Sequence, residues 1–404
     1  MATTSFVYHT LGLRGYRHLR TEYVGGIVRY HVELQPHERR CRGCGAEWFN
    51  VRMSGRFERT FLALPVGRRR QEVVLHGHDQ SCMRCGRTLR EPMAFADGKQ
   101  RYLKVVAEYI VGLCSIAPIK QVAQFLGVGW DLVKDVFKGH LARRLKQRSL
   151  RKVRLIAIDE FAIHKGHRYM TVVLDLETGQ ILWAAQGRDA DALIPFLRRL
   201  QRAGAHLDAV ALDMWPAYLL AVQTVFPSVT VVHDPFHIVA LANRAIDETR
   251  RELYHAVNIT ARKVIKGSRV LLLRAGETLP ESARSRLDDL MTLNEPLYEA
   301  YLLKEDLRQL WHQPNADTAG RFLSAWIQRA EATTLHHFVK LAATLKSHAL
   351  QVLSWFRFPI STGPLEGMDN KIKVLKRQAY GFRDLDYFKL RLYFIHESTP
   401  AFPG

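Results

Sequence analysis

Four cysteines stand in two close pairs, Cys41-Arg-Gly-Cys44 and Cys82-Met-Arg-Cys85, each followed by a glycine, Gly45 or Gly86. That pattern is the knuckle turn that aims two thiolates at one tetrahedral zinc. The 37 intervening residues exceed the usual zinc-ribbon spacing and contain two rival ligands, His76 and His78. Four thiolates leave no open coordination position, so the spacing predicts a structural Zn2+ on Cys41, Cys44, Cys82 and Cys85 rather than a catalytic one. A second chemistry is written in carboxylates. Val153–Asp159 is apolar at five of seven positions and ends on an acid, and Ala209–Asp213 repeats the pattern. Near-continuous apolar runs fit strands buried on both faces. An acid at such a place is costly to desolvate unless a cation or a donor meets it. Two such strands delivering Asp159 and Asp213 to one sheet edge would make a divalent-metal site.

The elements that must position these acids follow from the pattern after residue 153. It reads strand, strand, strand, helix, strand, helix, strand. Tyr169–Asp175 is the second strand, a turn at Glu177-Thr-Gly179 leads into Ile181–Ala185, and a helix over Asp189–Gln201 crosses to Ala209–Asp213. A meander reverses direction at each step, and a right-handed crossover makes the fourth strand parallel to the first. Asp159 and Asp213 then share an edge. Asp175 closes a strand running the other way and is expected roughly 20 Å from Asp159, so it is rejected as a ligand. After a helix near Tyr218–Phe226, a fifth strand, Val229–Val232, brings His233, Asp234 and His237 to the same edge, with Asp234 an accessory group. Residues 240–350 have helical periodicity throughout, with Trp311 and Trp326 expected in its core. Near the C-terminus Gly363 and Pro364 open a helix that carries Glu366 in its first turn, then Lys371, Lys373, Lys376 and Arg377. Acid first and cations after suit the helix dipole, and suit metal plus phosphate.

The chain has 404 residues, 47% of them hydrophobic and 24% charged, with a formal net charge of +20. The excess is local. Residues 1–152 hold 28 Lys and Arg against 12 Asp and Glu, whereas the rest hold 31 against 27. A basic N-terminal third favours a polyanion, most simply double-stranded DNA. Tyr23–Val32 is strand-like, as is Gln71–Leu75, and Tyr102–Cys114 is helical with Cys114 packed inside. Ile119–Leu126, a glycine turn at Gly127 and Gly129, and Trp130–Lys138 read as a helix-turn-helix. Val122, Ala123, Leu126, Val128, Val133 and Val136 would form its core. Lys134 and Lys138 would face outward, with a basic tail of Arg143, Arg144, Lys146, Arg148, Arg151 and Lys152 behind them. The absence of an export signal, the paired cysteines and the lack of an 18-residue apolar run predict a reducing cytoplasm and no membrane partner.

Four segments together are specific: Ile158-Asp-Glu-Phe-Ala162, Leu212-Asp-Met-Trp-Pro-Ala-Tyr218, Asp234-Pro-Phe-His237, and the run from Ser361 to Phe382. From the cysteine pairs to about Ile395 the chain resembles insertion-sequence transposases of the ISL-three type, whose DDE catalytic domain has a ribonuclease-H-like fold. The resemblance implies a multidomain α/β protein. It divides the chain into a zinc-knuckle module over 1–98, a helix-turn-helix over 99–152, and the first part of the catalytic domain over 153–239. A helical insertion over 240–350 and the C-terminal catalytic part with the Glu helix over 351–404 complete it. It implies that Asp159, Asp213 and Glu366, spaced by 54 and 153 positions, hold two Mg2+ ions, replaceable by Mn2+, for cleavage and strand transfer. His237 of the acid-x-x-His element would place the scissile phosphate. Lys371, Lys373, Lys376 and Arg377 would grip DNA near the cut. The zinc module and Lys134, Lys138, Arg143 and Arg144 would read terminal inverted repeats, and a homodimer on DNA and association with the nucleoid would follow. Asp369 departs from the pattern, since relatives commonly carry Asn there. A non-catalytic DNA-binding regulator and a ribonuclease-H-like nuclease without strand transfer are the rival readings. Magnesium-dependent nicking and joining of supplied 3′ ends distinguish them.

Overall fold

A computed structural model describes residues 2–164, 168–256, 262–263, 265–379 and 381–395. Tyr380 of the C-terminal motif lies outside the described residues, as does everything after Ile395. The chain divides into two compact units, the first made mainly of residues 1–146 and the second of 147–396.

In the first unit, β1 (Tyr16–Val24), β2 (Ile27–Leu34), β3 (Val51–Leu62), β4 (Gln71–Cys82) and β5 (Thr88–Arg90) form a mixed sheet. The order is β1-β2-β4-β3 with β5 also on β4, and only β2 and β4 run parallel. The strand-like piece at Gln71–Leu75 is thus the start of a longer strand that reaches Cys82. His76 and His78 are strand residues. Three helices follow: α2 (Lys104–Ile116), α3 (Ile119–Leu126) and α4 (Trp130–Gln147), after a short α1 (Ala2–Leu11). Gly127 ends α3 at φ 61°, a left-handed cap that glycine adopts without strain. Val122, Ala123, Val133 and Val136 are buried, while Leu126 and Val128 are half-buried. The helix starting at Trp130 does not stop at Lys138. It runs on to Gln147, so Arg143, Arg144 and Lys146 are helical residues and not a tail.

The second unit is built on β6 (Leu155–His164), β7 (Arg168–Asp175), β8 (Ile181–Gln186), β9 (Ala209–Leu212) and β10 (Thr230–His233), in the order β10-β9-β6-β7-β8. β7 is antiparallel to β6 and β8, while β9 and β10 are parallel to β6. One face is covered by α5 (Ala190–Arg202) and α6 (Pro216–Val225). Ile156, Ile158, Val210, Leu212 and Val231 pack there with Phe196, Leu197, Tyr218 and Val222. Because side chains alternate along a strand, Asp159 belongs to the other face, while Asp213 and Asp234 come directly after the ends of β9 and β10. After β10 comes α7 (Pro235–Ala256), and from it a helical block with its own apolar core. Trp326 is fully buried in that core and Trp311 is packed against it. Among the described residues no helix is long and apolar enough to cross a membrane.

Candidate functional site

The parallel register pairs Leu155 with Ala209 and Ala157 with Ala211. The offset is 54 residues, the same as the spacing of Asp159 and Asp213, so the register extended one residue past the end of β9 at Leu212 sets the two acids level. The offset between β9 and β10 pairs Leu212 with His233, which places Asp234 level with Asp213. Three acids thus stand in one row. Asp159 is not at the end of its strand as expected, since β6 continues to His164. For the same reason Asp175 is nearer than roughly 20 Å: it pairs with Ile156, three residues and about 10 Å along the strand from the Asp159 level. Its carboxylate accepts from the Glu177 N–H at 3.0 Å and from the Thr178 hydroxyl at 2.7 Å. It is spent on its turn.

Burial pushes the Asp159 carboxyl up to about 7, against the N–H of Glu160 that it accepts at 2.8 Å, and the nearby charges of Glu160 and Asp213 push the same way. Burial also raises Asp213, against a 3.0 Å hydrogen bond from the Trp215 N–H. Two partly desolvated acids side by side, with no lysine or arginine among the described residues paired to them, are a donor set that fits a hard divalent cation. Glu366 shares with Asp159 a cleft of about 180 Å3, lined also by Glu160, His237, Asp234 and Asp369. The helix Gly363–Gln378 carries Glu366 in its first turn, with Pro364 at its start and Lys376 and Arg377 in its last turn. Among the described residues the oxygens of Asp159, Asp213 and Glu366 are not all within 4.8 Å of one another. Glu366 is the exposed member.

What holds that helix was not foreseen. Asp234 is 1% exposed and accepts from the N–H of Thr362 at 3.3 Å, from the Thr362 hydroxyl, and from the Phe236 N–H at 3.0 Å. Thr362 is the residue that precedes the helix. At the far end, the Lys376 ammonium donates to the carbonyls of Ala162 and Ile163 on β6. The helix is therefore clasped to β10 at its start and to β6 near its end. A helix-cap reading of Thr-Gly-Pro would have flagged Thr362, but not its partner 128 residues away. His237, on the first turn of α7, has its Nδ1 3.6 Å from Asp234. His233 does not join the edge as expected. It is buried and hydrogen-bonds His348 through Nε2 at 3.2 Å, and burial brings it down to about 4.

The expected DNA-facing cations divide. Lys134 is not free on the surface: Asp131 and Asp135 hold its ammonium at 3.4 and 3.6 Å, over the Trp130 ring. Arg143 and Lys146 are exposed, Lys138 and Arg144 partly so. Arg148 donates to the carbonyls of Ile181 and Tyr393 and packs as a structural residue of the second unit. Lys376 is taken by the strand carbonyls, leaving Lys371, Lys373 and Arg377 exposed on the Glu helix. Lys373 pairs with Asp369 at 2.6 Å, so the extra acid is neutralised within its own helix.

The four thiolates converge in the first unit. All lie within 4.8 Å of one another, with Cys41 to Cys85 and Cys44 to Cys82 both at 3.7 Å. A tetrahedron of 2.3 Å zinc–sulfur bonds has edges of about 3.8 Å, so the cluster fits zinc. Gly45 and Gly86 supply the positive φ of the knuckles, 72° and 68°. Backbone N–H groups of Cys44 and Gly43 lower the Cys41 thiol, while burial and the neighbouring thiols raise that of Cys44, so without an ion the cluster shares its protons unevenly. His76 is turned away, sharing a 2.8 Å hydrogen bond with His31.

An α/β unit that gathers carboxylates in one cleft has the donor set of enzymes that use hard divalent cations. Comparison with known proteins gives the class. A family profile described as Transposase, of the ISL-three DDE type, matches residues 156–392. The transposase for insertion sequence element IS1001 of Bordetella parapertussis is 35% identical over 370 residues, covering 90% of this chain and 89% of that one. The transposase for insertion sequence element IS1557 of Mycobacterium tuberculosis is 31% identical over 280 residues, 62% of each chain. A chain of the Drosophila P element transposase strand transfer complex superposes at a TM-score of 0.37 with 11% identity, covering 73% of this chain and 92% of that one, too weak a likeness to support an argument. The chain belongs to the ISL-three family of transposases.

Proposed function

We propose that this transposase binds the terminal inverted repeats of its own insertion sequence and cuts and joins DNA strands with Asp159, Asp213 and Glu366 as its metal ligands. The observation that supports the reading is the 54-residue offset of the β6–β9 register, which equals the spacing of Asp159 and Asp213, together with a cleft lined by both Asp159 and Glu366. The strand order and directions support a ribonuclease-H-like catalytic domain over 153–239 and 351–404, interrupted by a helical insertion over 240–350. Residues 1–98 and 99–152 are read as the zinc module and the helix-turn-helix.

Asp159, Asp213 and Glu366 would hold a pair of Mg2+ or Mn2+ ions, whose chemistry would be to activate a water or a DNA 3′-hydroxyl and to stabilise the leaving oxygen. The protein's part is to pre-place the donors. Asp159 and Asp213 are fixed by the sheet, and Asp234 and Lys376 fix the helix from which Glu366 reaches in. His237, held beside Asp234, orients the scissile phosphate. Lys371 and Arg377 line the exposed side of the Glu helix and neutralise phosphates beside the cut, while Lys373 offsets Asp369. Arg143, Arg144 and Lys138 serve the repeats, and the zinc module keeps its knuckles in shape for the same task. Acting on two element ends requires two copies on the DNA. The test is incubation of the full chain with labelled element ends and Mg2+, beside Asp213→Ala. Cleaved and joined product from the intact chain alone supports the reading. Equal product from both overturns it.

A further inference from the structure

The helical block holds a second cluster of metal-ligating side chains. Glu248 and Glu252 lie one turn apart on α7, and His336 and His337 open the helix His336–Ser347. Glu252 Oε1 is 3.1 Å from His336 Nε2 and 2.9 Å from His337 Nε2, while His337 Nδ1 is 3.1 Å from Glu248 Oε2. Side chains of consecutive helical residues ordinarily diverge by about 100°. Here the two imidazoles turn to the same oxygen, with ring centroids 3.9 Å apart. Both ring nitrogens of His337 therefore face carboxylates. A neutral imidazole carries one N–H. If Nδ1 donates to Glu248, Nε2 points a lone pair at Glu252, a repulsive contact unless a proton or a metal ion lies between them.

We propose that His336, His337 and Glu252 bind a divalent first-row transition-metal ion of the zinc class, with Glu248 orienting His337. A ligand from each of His336, His337 and Glu252 lies within 4.8 Å of the others. Two imidazoles and one carboxylate select zinc, cobalt or nickel over magnesium, which prefers oxygen. Bonds of about 2.0–2.1 Å in a tetrahedron set nitrogen–oxygen edges of about 3.3 Å, so seating an ion opens the present contacts by only a few tenths of an ångström. The carboxylate–histidine–metal arrangement is the usual way a second carboxylate fixes the tautomer of a ligating imidazole. The ion would clip α7 to the helix His336–Ser347. It is separate from the carboxylate cleft: Glu252 is fifteen residues from His237, about 22 Å along α7.

The experiment is a Co2+ titration of the full chain, with zinc already in the cysteine cluster and Mg2+ in excess, at pH 7.5. The expected result is one further Co2+ with the visible d–d bands of a low-coordinate nitrogen–oxygen site and no sulfur charge-transfer absorption. Affinity should fall at least about tenfold in Glu252→Gln and His337→Ala, and about tenfold in Glu248→Gln. Thermal melts in the absence of Co2+ identify any variant that has lost its fold, and Glu252→Gln keeps the size and most of the hydrogen-bonding capacity. Superimposable curves for the intact chain and Glu252→Gln overturn the proposal and leave a proton-bridged ion pair. Loss of strand cleavage in the Asp213→Ala test has no bearing on it.

Discussion

Asp159 is held at odds with its own charge. A carboxyl raised to about 7, from an ordinary value near 3.9, favours the fold while protonated. That contribution is complete below about pH 4 and is lost as pH rises through about 7, so at pH 8 the ion-free protein bears a cost of up to about 4 kcal/mol. Asp159→Asn is therefore expected to raise the urea midpoint at pH 8 without added Mg2+ and to leave it nearly unchanged at pH 4, while cleavage of element ends falls by about 10³-fold or more. Parallel pH profiles for the two proteins would contradict the buried-charge account. Asp213 is shifted in the same direction for the same first reason. Asp369 is different in kind, since Lys373 closes its charge at 2.6 Å and no excess acid is left on the cleft.

The Glu helix owes its position to a clasp that spans the second unit. Thr362→Val removes the hydroxyl that Asp234 accepts and leaves a buried carboxylate short of a partner, a cost of about 1–3 kcal/mol. The larger effect is expected on catalysis: about 10²-fold slower cleavage, with a higher Mg2+ concentration needed for half-maximal rate, because Glu366 is no longer pre-placed. Thr362→Ser keeps the donor and should restore both. A variant that loses stability without any change in Mg2+ requirement would show that the contact only holds the fold. At the other end, Lys376→Met is expected to leave the salt dependence of DNA binding unchanged, since its ammonium is taken by the Ala162 and Ile163 carbonyls. Lys371→Ala should lower the slope of log affinity against log salt by about 1.

Charge is apportioned over the whole chain rather than spread through it. With an excess of sixteen basic residues in 1–152, DNA affinity should fall by about 10³-fold between 50 and 200 mM salt, as for roughly six phosphate contacts. Stripping zinc with a strong chelator should unfold the knuckles and abolish repeat binding, because a four-thiolate site has no packed alternative. Asp213→Ala should bind the same DNA normally. Retention of repeat binding after zinc loss, checked by gel shift and by metal analysis, would remove the module from recognition.

The amino-acid sequence by itself determined what repeats along the chain. The apolar run into Asp159, its copy before Asp213, the knuckle glycines, and the acid-then-cation order of the Glu helix are all local patterns, and a strand or a turn is a local response to them. The 54-residue offset was in plain sight, but its meaning as a strand register needed β9 beside β6. The tertiary structure decided everything that depends on who meets whom. Asp159 sits in mid-strand because β7 pairs on past it, Lys134 and Lys376 are claimed by nearby acids and carbonyls, and His233 turns to His348. The Asp234–Thr362 clasp and the Glu252–His337 contact join residues 128 and 85 positions apart. Periodicity reports which face a residue occupies. It carries no information about the partner that packing brings to that face.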